Sequence, residues 1–149
     1  KLHLSSALSA KPTENNLLRL KDFIEPVYLH QVTLGKDWQC IRRIKDLDAA
    51  IEMQMAGNLP EADEWRIHFH VPLHASPGGD MGDTRLHVID TLFWLSKNQS
   101  ACRHLEMETY TWEVLPEKLQ AGSVVEQVGK EYQWTLEQMD KIGFSLEKS

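Results

Sequence analysis

The chain has 149 residues, of which 42% are hydrophobic and 26% are charged, and its formal net charge is −6 at pH 7. This length suits one domain with a buried core, and an acidic balance without a basic cluster argues against nucleic-acid binding. No apolar run approaches the roughly 20 residues of a membrane-spanning helix, so we expect no membrane span. Cys40 and Cys102 lie far apart and lack metal-site spacing. We therefore expect free thiols, as in a cytoplasmic protein.

Strand and helix patterns alternate from the first residues onward. Lys1–Leu8 alternates apolar and polar residues, which predicts a strand. Thr13 is placed to cap a helix rich in leucine, and Pro26 is placed to end it. Val27–Leu34 is predicted as the second strand, and residues 39–44 as a short third one.

The middle of the chain continues the alternation. Asp46 is predicted to cap a helix that Gly57 closes. Trp65–Val71 has a strong two-residue period and is predicted as a strand. A loop rich in glycine, proline and aspartate covers His74–Asp83, and a helix beginning at Asp83 or Thr84 is expected to follow it to about residue 97.

Two further elements are predicted near the C-terminus. His104–Tyr110 alternates again and is predicted as a strand, and Ser123 with Glu126 forms a capping-box pattern for a last helix to about Lys141. Alternating strands and helices are typical of an α/β fold with a mostly parallel sheet. Because the chain opens inside a predicted strand and has too few strands for a closed barrel, we expect residues 1–149 to be a single α/β domain from a larger protein.

Polar side chains fall on one face of each clear strand, because successive side chains point to opposite faces. These groups are His3 with Ser5; Tyr28 with His30; Arg66 with His68 and His70; and His104 with Glu106, Glu108 and Tyr110. Imidazoles and carboxylates together suit a divalent metal such as Zn, Mn or Fe, and they also suit proton transfer next to a carbonyl. The alternative is that these are solvated sheet faces without a chemical role.

Four segments carry a resemblance to a known family. They are Lys1–Leu8, Tyr28–Val32, Trp65–Leu73 and His104–Pro116. Together they resemble the C-terminal part of EboE-type metabolite traffic proteins, which belong to the xylose-isomerase-like TIM-barrel superfamily. The resemblance implies the C-terminal portion of a (β/α)8 barrel, with residues 2–8 and 105–109 as its last two strands.

The resemblance also implies roles for individual residues. His3 corresponds to a metal-binding histidine, and Glu106 or Glu108 to the final metal ligand or the catalytic base. We therefore expect Glu106 and Glu108 to be catalytic and His3 and Glu108 to bind metal. The residues expected to contact substrate are His30, His68, His70 and Tyr110.

Three functions compete at this point. The first is a metal-dependent isomerase or epimerase acting on a sugar or polyol, and the second is a non-catalytic protein that binds or transports a small metabolite. The third is a metal-dependent hydrolase in which His68 and His70 hold the metal. A homodimer is also expected if the chain folds by itself, because unpaired strand edges can pair with a second copy.

Overall fold

The computed structural model describes residues 1–108 and 122–144. The described residues form seven strands and four α-helices, together with two short 3₁₀ helices at Lys21–Phe23 and Gln99–Ala101. In chain order the main elements are β1 (Leu2–Leu4), β2 (Ser6–Ala10), α1 (Glu14–Leu20), β3 (Val32–Lys36), β4 (Gln39–Ile44), α2 (Leu47–Met55), β5 (Glu64–Val71), β6 (Met81–Asp83), α3 (Arg85–Lys97), β7 (Leu105–Met107) and α4 (Val124–Lys141).

The strands form two sheets. The larger has five strands in the order β4-β3-β5-β2-β6, and every neighbouring pair in it is antiparallel. β1 and β7 form a separate two-stranded sheet, in which they run parallel. A two-residue turn, Asp37 and Trp38, joins β3 to β4, which makes this connection a hairpin.

The predicted barrel portion is wrong. The chain is a small α/β protein whose main sheet is antiparallel, and its strands do not alternate regularly with helices. The physical reason lies in the strands themselves. A strand of a parallel barrel is buried on both faces, whereas Glu64–Val71 alternates exposed and buried residues over much of its length. One solvated face is typical of an antiparallel sheet.

The larger sheet buries one face against α1 and α2. Leu8 and Val32 both lie opposite Ile67 in neighbouring strands, so the three side chains share a face, and all are fully buried. Trp65 is also fully buried in this core. Burial of each such side chain stabilises the fold by roughly 1.5–3 kcal/mol. The opposite face of the sheet keeps polar residues.

A second core lies between the parallel strand pair and the two C-terminal helices. It contains the buried side chains Leu4, Leu73, Val88, Leu92 and Met139, with Leu2, Leu105 and Met107 packed at its border. The apolar residues of β1 and β7 therefore face α3 and α4, and their polar neighbours must face the other way. This arrangement positions the candidate site.

The helices begin close to the predicted residues and, except for α1, end close to them; α1 ends at Leu20 and passes into the 3₁₀ helix Lys21–Phe23 before Pro26. The side chain of Thr13 accepts a hydrogen bond at the start of α1, and that of Asp46 at the start of α2. Gly57 follows α2 with φ of 70°, the left-handed conformation expected after a helix. Both hydrogen bonds of the predicted capping box at α4 are present. The sequence signals at the helix ends were sufficient to place these caps, because a capping side chain bonds to backbone groups within one turn of the helix.

The predicted strand Val27–Leu34 is largely wrong. Only its last residues belong to β3, and the segment before them is irregular. The carboxylate of Glu25 accepts hydrogen bonds from the backbone N–H groups of Val27 and Tyr28, at 2.6 Å and 2.8 Å. These bonds hold the chain in a local turn and remove donors that a strand would need. The predicted loop His74–Asp83 is correct except that β6 occupies its end.

Two other expectations concern the chain as a whole. Cys40 and Cys102 are free thiols, as predicted. In residues 1–108 and 122–144, no helix combines the length and apolarity needed to cross a membrane.

Candidate His–Glu site

The parallel pairing of β1 and β7 brings predicted site residues together. The register places His3 directly opposite Glu106. The apolar neighbours of both residues pack into the second core, so His3, Glu106 and Glu108 lie on the outer face. These three residues and His70, which approaches from β5, are called the His–Glu cluster below.

His3 lies between the two carboxylates. Its Nε2 atom is 3.4 Å from Oε2 of Glu106, and its Nδ1 atom is 3.7 Å from Oε1 of Glu108. The side chains of His3 and Glu106 are 44% and 47% exposed, and that of Glu108 is 33% exposed. These three side chains are therefore accessible to a molecule in solution, whereas His70 is buried, with 6% of its surface exposed.

Lys1 adds a cation at one end of the cluster. Its Nζ atom donates a hydrogen bond of 2.8 Å to Oε2 of Glu106. This hydrogen bond, with the positive charge of Lys1, lowers the pKa of the Glu106 carboxyl below its ordinary value. Glu106 is therefore a stable carboxylate and a weak base. In the described part of the chain Glu108 has no such lysine contact, and its side chain is 33% exposed.

His70 reaches the cluster from the end of β5. The pairing of β2 with β5 shifts register between Ala7 and Leu8, and such a bulge redirects the side chains beside it. Nδ1 of His70 lies 3.4 Å from the backbone carbonyl oxygen of Glu108. A carbonyl can only accept, so Nδ1 carries the hydrogen in this contact.

Burial lowers the pKa of His70 below its ordinary value, and the neighbouring rings of His68 and His30 act in the same direction. The charge of Glu108 opposes this shift without cancelling it. The imidazole of His70 is therefore neutral at neutral pH. The exposed ring of His68 lies beside it, with 5.4 Å between the ring centroids.

His30 is separate from this exposed cluster. It is 1% exposed, and its ring packs 5.0 Å from the ring of the core residue Phe69. Nδ1 of His30 donates to the carbonyl oxygen of His68 at 3.1 Å, and Nε2 lies 2.9 Å from Oε1 of Glu25. His30 therefore supports the backbone of β5 from the core side.

The structure thus unites five of the predicted site residues, namely His3, Glu106, Glu108, His68 and His70. Tyr110, the remaining predicted contact, lies outside the described residues. Sequence reasoning missed Lys1, although it shares a face with His3 two positions later. It also missed Glu25, for which no short-range pattern gives a signal.

A metal ion does not fit the described cluster as it stands. Within the described ranges, no three histidine, cysteine, aspartate or glutamate side chains converge in a way that could hold a metal ion. The two ring nitrogens of His3 face two different carboxylates, and Glu106 is already bonded to Lys1. The expected Zn, Mn or Fe site at His3 and Glu108 is not formed by the described arrangement and stays a prediction.

Comparison with known proteins found no match: no protein-family model, curated protein or solved structure matches the chain.

Proposed function

We propose that the His–Glu cluster binds a small hydrophilic metabolite of the sugar or polyol class. The observation that carries this proposal is the meeting of His3, Glu106 and Glu108 on one accessible surface, with the buried ring of His70 in contact with the backbone of Glu108. Carboxylates accept hydrogen bonds from hydroxyl groups, and imidazole N–H groups and the ammonium of Lys1 donate to them. A ligand with several adjacent hydroxyls can use both kinds of partner at once. In this form the protein binds or carries its metabolite, and a cytoplasmic location belongs to the same proposal.

The test is ligand binding measured by saturation-transfer NMR with D-glucose, D-xylose and myo-inositol. The double variant Glu106→Gln, Glu108→Gln should lose the signal, because both charged acceptors are replaced. The matched control, Glu52→Gln with Glu137→Gln, removes the same charge from exposed positions of α2 and α4. Equal binding by the two double variants would remove the cluster from the site.

A metal-dependent sugar or polyol isomerase or epimerase is the second candidate. What favours it is the link between His70 and Glu108: Nδ1 of His70 lies 3.4 Å from the backbone carbonyl oxygen of Glu108, and the charge of the Glu108 carboxylate acts on the imidazole. A carboxylate can remove a proton next to a carbonyl, and an imidazole can shuttle it. The resemblance to EboE-type proteins points the same way, but the barrel that it implies is contradicted, so the cluster alone supports this candidate.

Elemental analysis distinguishes the candidates. About one divalent metal per chain, with isomerisation of a sugar that Glu108→Gln abolishes, would favour the isomerase. Stoichiometric metal without isomerisation would favour the metal-dependent hydrolase, in which His68 and His70 are ligands. Saturable sugar binding without metal would favour the carrier. A protein with no bound metal and no sugar binding would rule out all three functions.

A second copy of the chain is the macromolecular partner that belongs to this proposal. β4 is an edge strand of the larger sheet, and five of its six residues are exposed. Pairing of two β4 strands would bring Arg42 and Arg43 of both copies together, and salt would screen their repulsion. We therefore expect dimers to increase with ionic strength in sedimentation experiments. A monomer at every salt concentration would contradict edge pairing.

A further inference from the structure

A second concave surface lies away from the His–Glu cluster. The polar face of the larger sheet and the start of α3 border a cleft of about 960 Å³, and it shares no lining residue with the cluster. Thr33, Glu64 and Arg66 belong to the sheet side of the cleft. Leu86 and Asp90 lie one turn apart on α3 and form part of the opposite side.

Trp38 borders this cleft in an unfavourable conformation. Its side chain is 100% exposed, and its φ is 64°. In a two-residue hairpin turn with both residues in the left-handed region, aspartate or asparagine suits the first position and glycine the second. Asp37 fits that pattern, whereas Trp38 takes the position of glycine. Strained backbone conformations cluster at functional sites, and here the strain holds a fully exposed indole at the border of a cleft.

The charges of the cleft select the kind of ligand. Five carboxylates border it against two cationic groups, Lys36 and Arg66. Lys36 contacts Glu61 at 2.7 Å, and Arg66 contacts Glu64 at 2.8 Å. Asp83 is likewise paired with Arg85, at 2.8 Å. The charge that remains at the cleft comes from Asp37, Asp63 and Asp90, and a negative field attracts cations and repels anions.

We propose that this cleft binds a small organic cation through the indole face of Trp38 and the surrounding carboxylates. The ring of tryptophan is the strongest of the aromatic side chains in attracting a cation to its face. Asp37 and Asp90 lie on different elements at the cleft and supply negative charge from two sides. A quaternary ammonium group suits this site because it combines positive charge with an apolar surface that can contact Trp38 and Leu86.

The experiment is an NMR titration of the whole chain with choline and with its neutral analogue 3,3-dimethylbutan-1-ol. Choline should bind about threefold or more tightly than the analogue, and Trp38→Gly should weaken choline binding by a similar factor. Trp38→Gly is a suitable variant because glycine takes the observed φ without strain, so the hairpin is retained. Trp94→Ala, at an exposed tryptophan of α3 outside the cleft, is the matched control and should bind choline normally.

A charge variant makes a second, independent check. Asp90→Asn should weaken choline binding by about two- to fivefold, because it removes one nearby negative charge. Glu52→Gln, on the exposed side of α2, should leave binding unchanged. Equal affinity for choline and its neutral analogue would overturn the proposal of a cation site. So would the absence of choline binding, or choline binding that Trp38→Gly leaves intact.

Discussion

Replacement of Glu25 by alanine should strongly destabilise the protein. The Glu25 side chain is only 12% exposed, and its carboxylate contacts three polar groups, which are the backbone N–H groups of Val27 and Tyr28 and the Nε2 atom of His30. His30 is 1% exposed, and its other ring nitrogen donates to the carbonyl oxygen of His68. The variant therefore leaves a buried imidazole without its acidic partner.

The size of the effect follows from these contacts. Removal of the partner of a buried polar group typically costs about 1–3 kcal/mol, because the imidazole of His30 stays buried without that contact. The lost bonds to the two backbone N–H groups add to this cost only in part, since water can reach the turn. We therefore expect Glu25→Ala to lower the free energy of unfolding by about 2–4 kcal/mol, a large part of the stability of a domain of this size.

Urea unfolding followed by circular dichroism measures this change. Glu25→Gln should have a smaller effect, because its side-chain amide keeps a polar partner beside Nε2 of His30 and an oxygen that can accept from the turn. The matched control is Glu61→Ala, which removes a glutamate that is 86% exposed from its ion pair with Lys36. That pair is open to solvent, so its loss should change stability much less. If the two alanine variants were equally stable, the buried pair would not support the fold as described.

Three further predictions concern stability. Burial lowers the pKa of His70 from its ordinary value of 6.5. As the pH falls below 6.5, the unfolded chain therefore binds more protons than the folded chain does. The free energy of unfolding should decrease as the pH decreases through this range. His70→Asn should make the free energy of unfolding depend less on pH between about pH 5 and 7. Part of the dependence should remain, because burial also lowers the pKa of His74. An unchanged pH dependence in urea titrations of the variant would contradict this prediction. Trp38→Gly should raise the free energy of unfolding by up to about 1 kcal/mol, because glycine adopts the left-handed conformation without strain. The greater conformational entropy of glycine in the unfolded chain cancels only part of this gain. A lower urea midpoint for the variant would refute the prediction. Ser123→Ala should cost about 1 kcal/mol by removing the cap of α4, measured as a lower thermal midpoint, whereas an unchanged midpoint would show that the cap is dispensable.

Local signals were read correctly from the sequence. Thr13, Asp46 and Ser123 each cap a helix through contacts within the next few residues, so the pattern and the structure agree. The strand around Trp65–Val71 was equally clear because its sequence alternates apolar and polar residues throughout, although its last three residues are all buried in the structure. These features depend on neighbouring residues only.

Strand direction could not be read in the same way. Pairing joins residues far apart in the chain, and antiparallel and parallel partners have similar local patterns. The hairpin between β3 and β4 would have revealed an antiparallel sheet, but Trp38 occupies the place of the glycine that usually marks such a turn. The prediction of a parallel barrel was wrong because the local pattern does not give the direction of strand pairing.

For the candidate site, sequence alone determined which side chains share a face of a strand, because side-chain direction alternates with every residue. It therefore grouped His104 with Glu106 and Glu108, and His68 with His70. Only the tertiary structure decided that His3 lies between the two carboxylates, since that depends on the register of β1 against β7. It also decided that His30 is buried against Glu25, because a turn held by one carboxylate replaced the strand that the local pattern predicted.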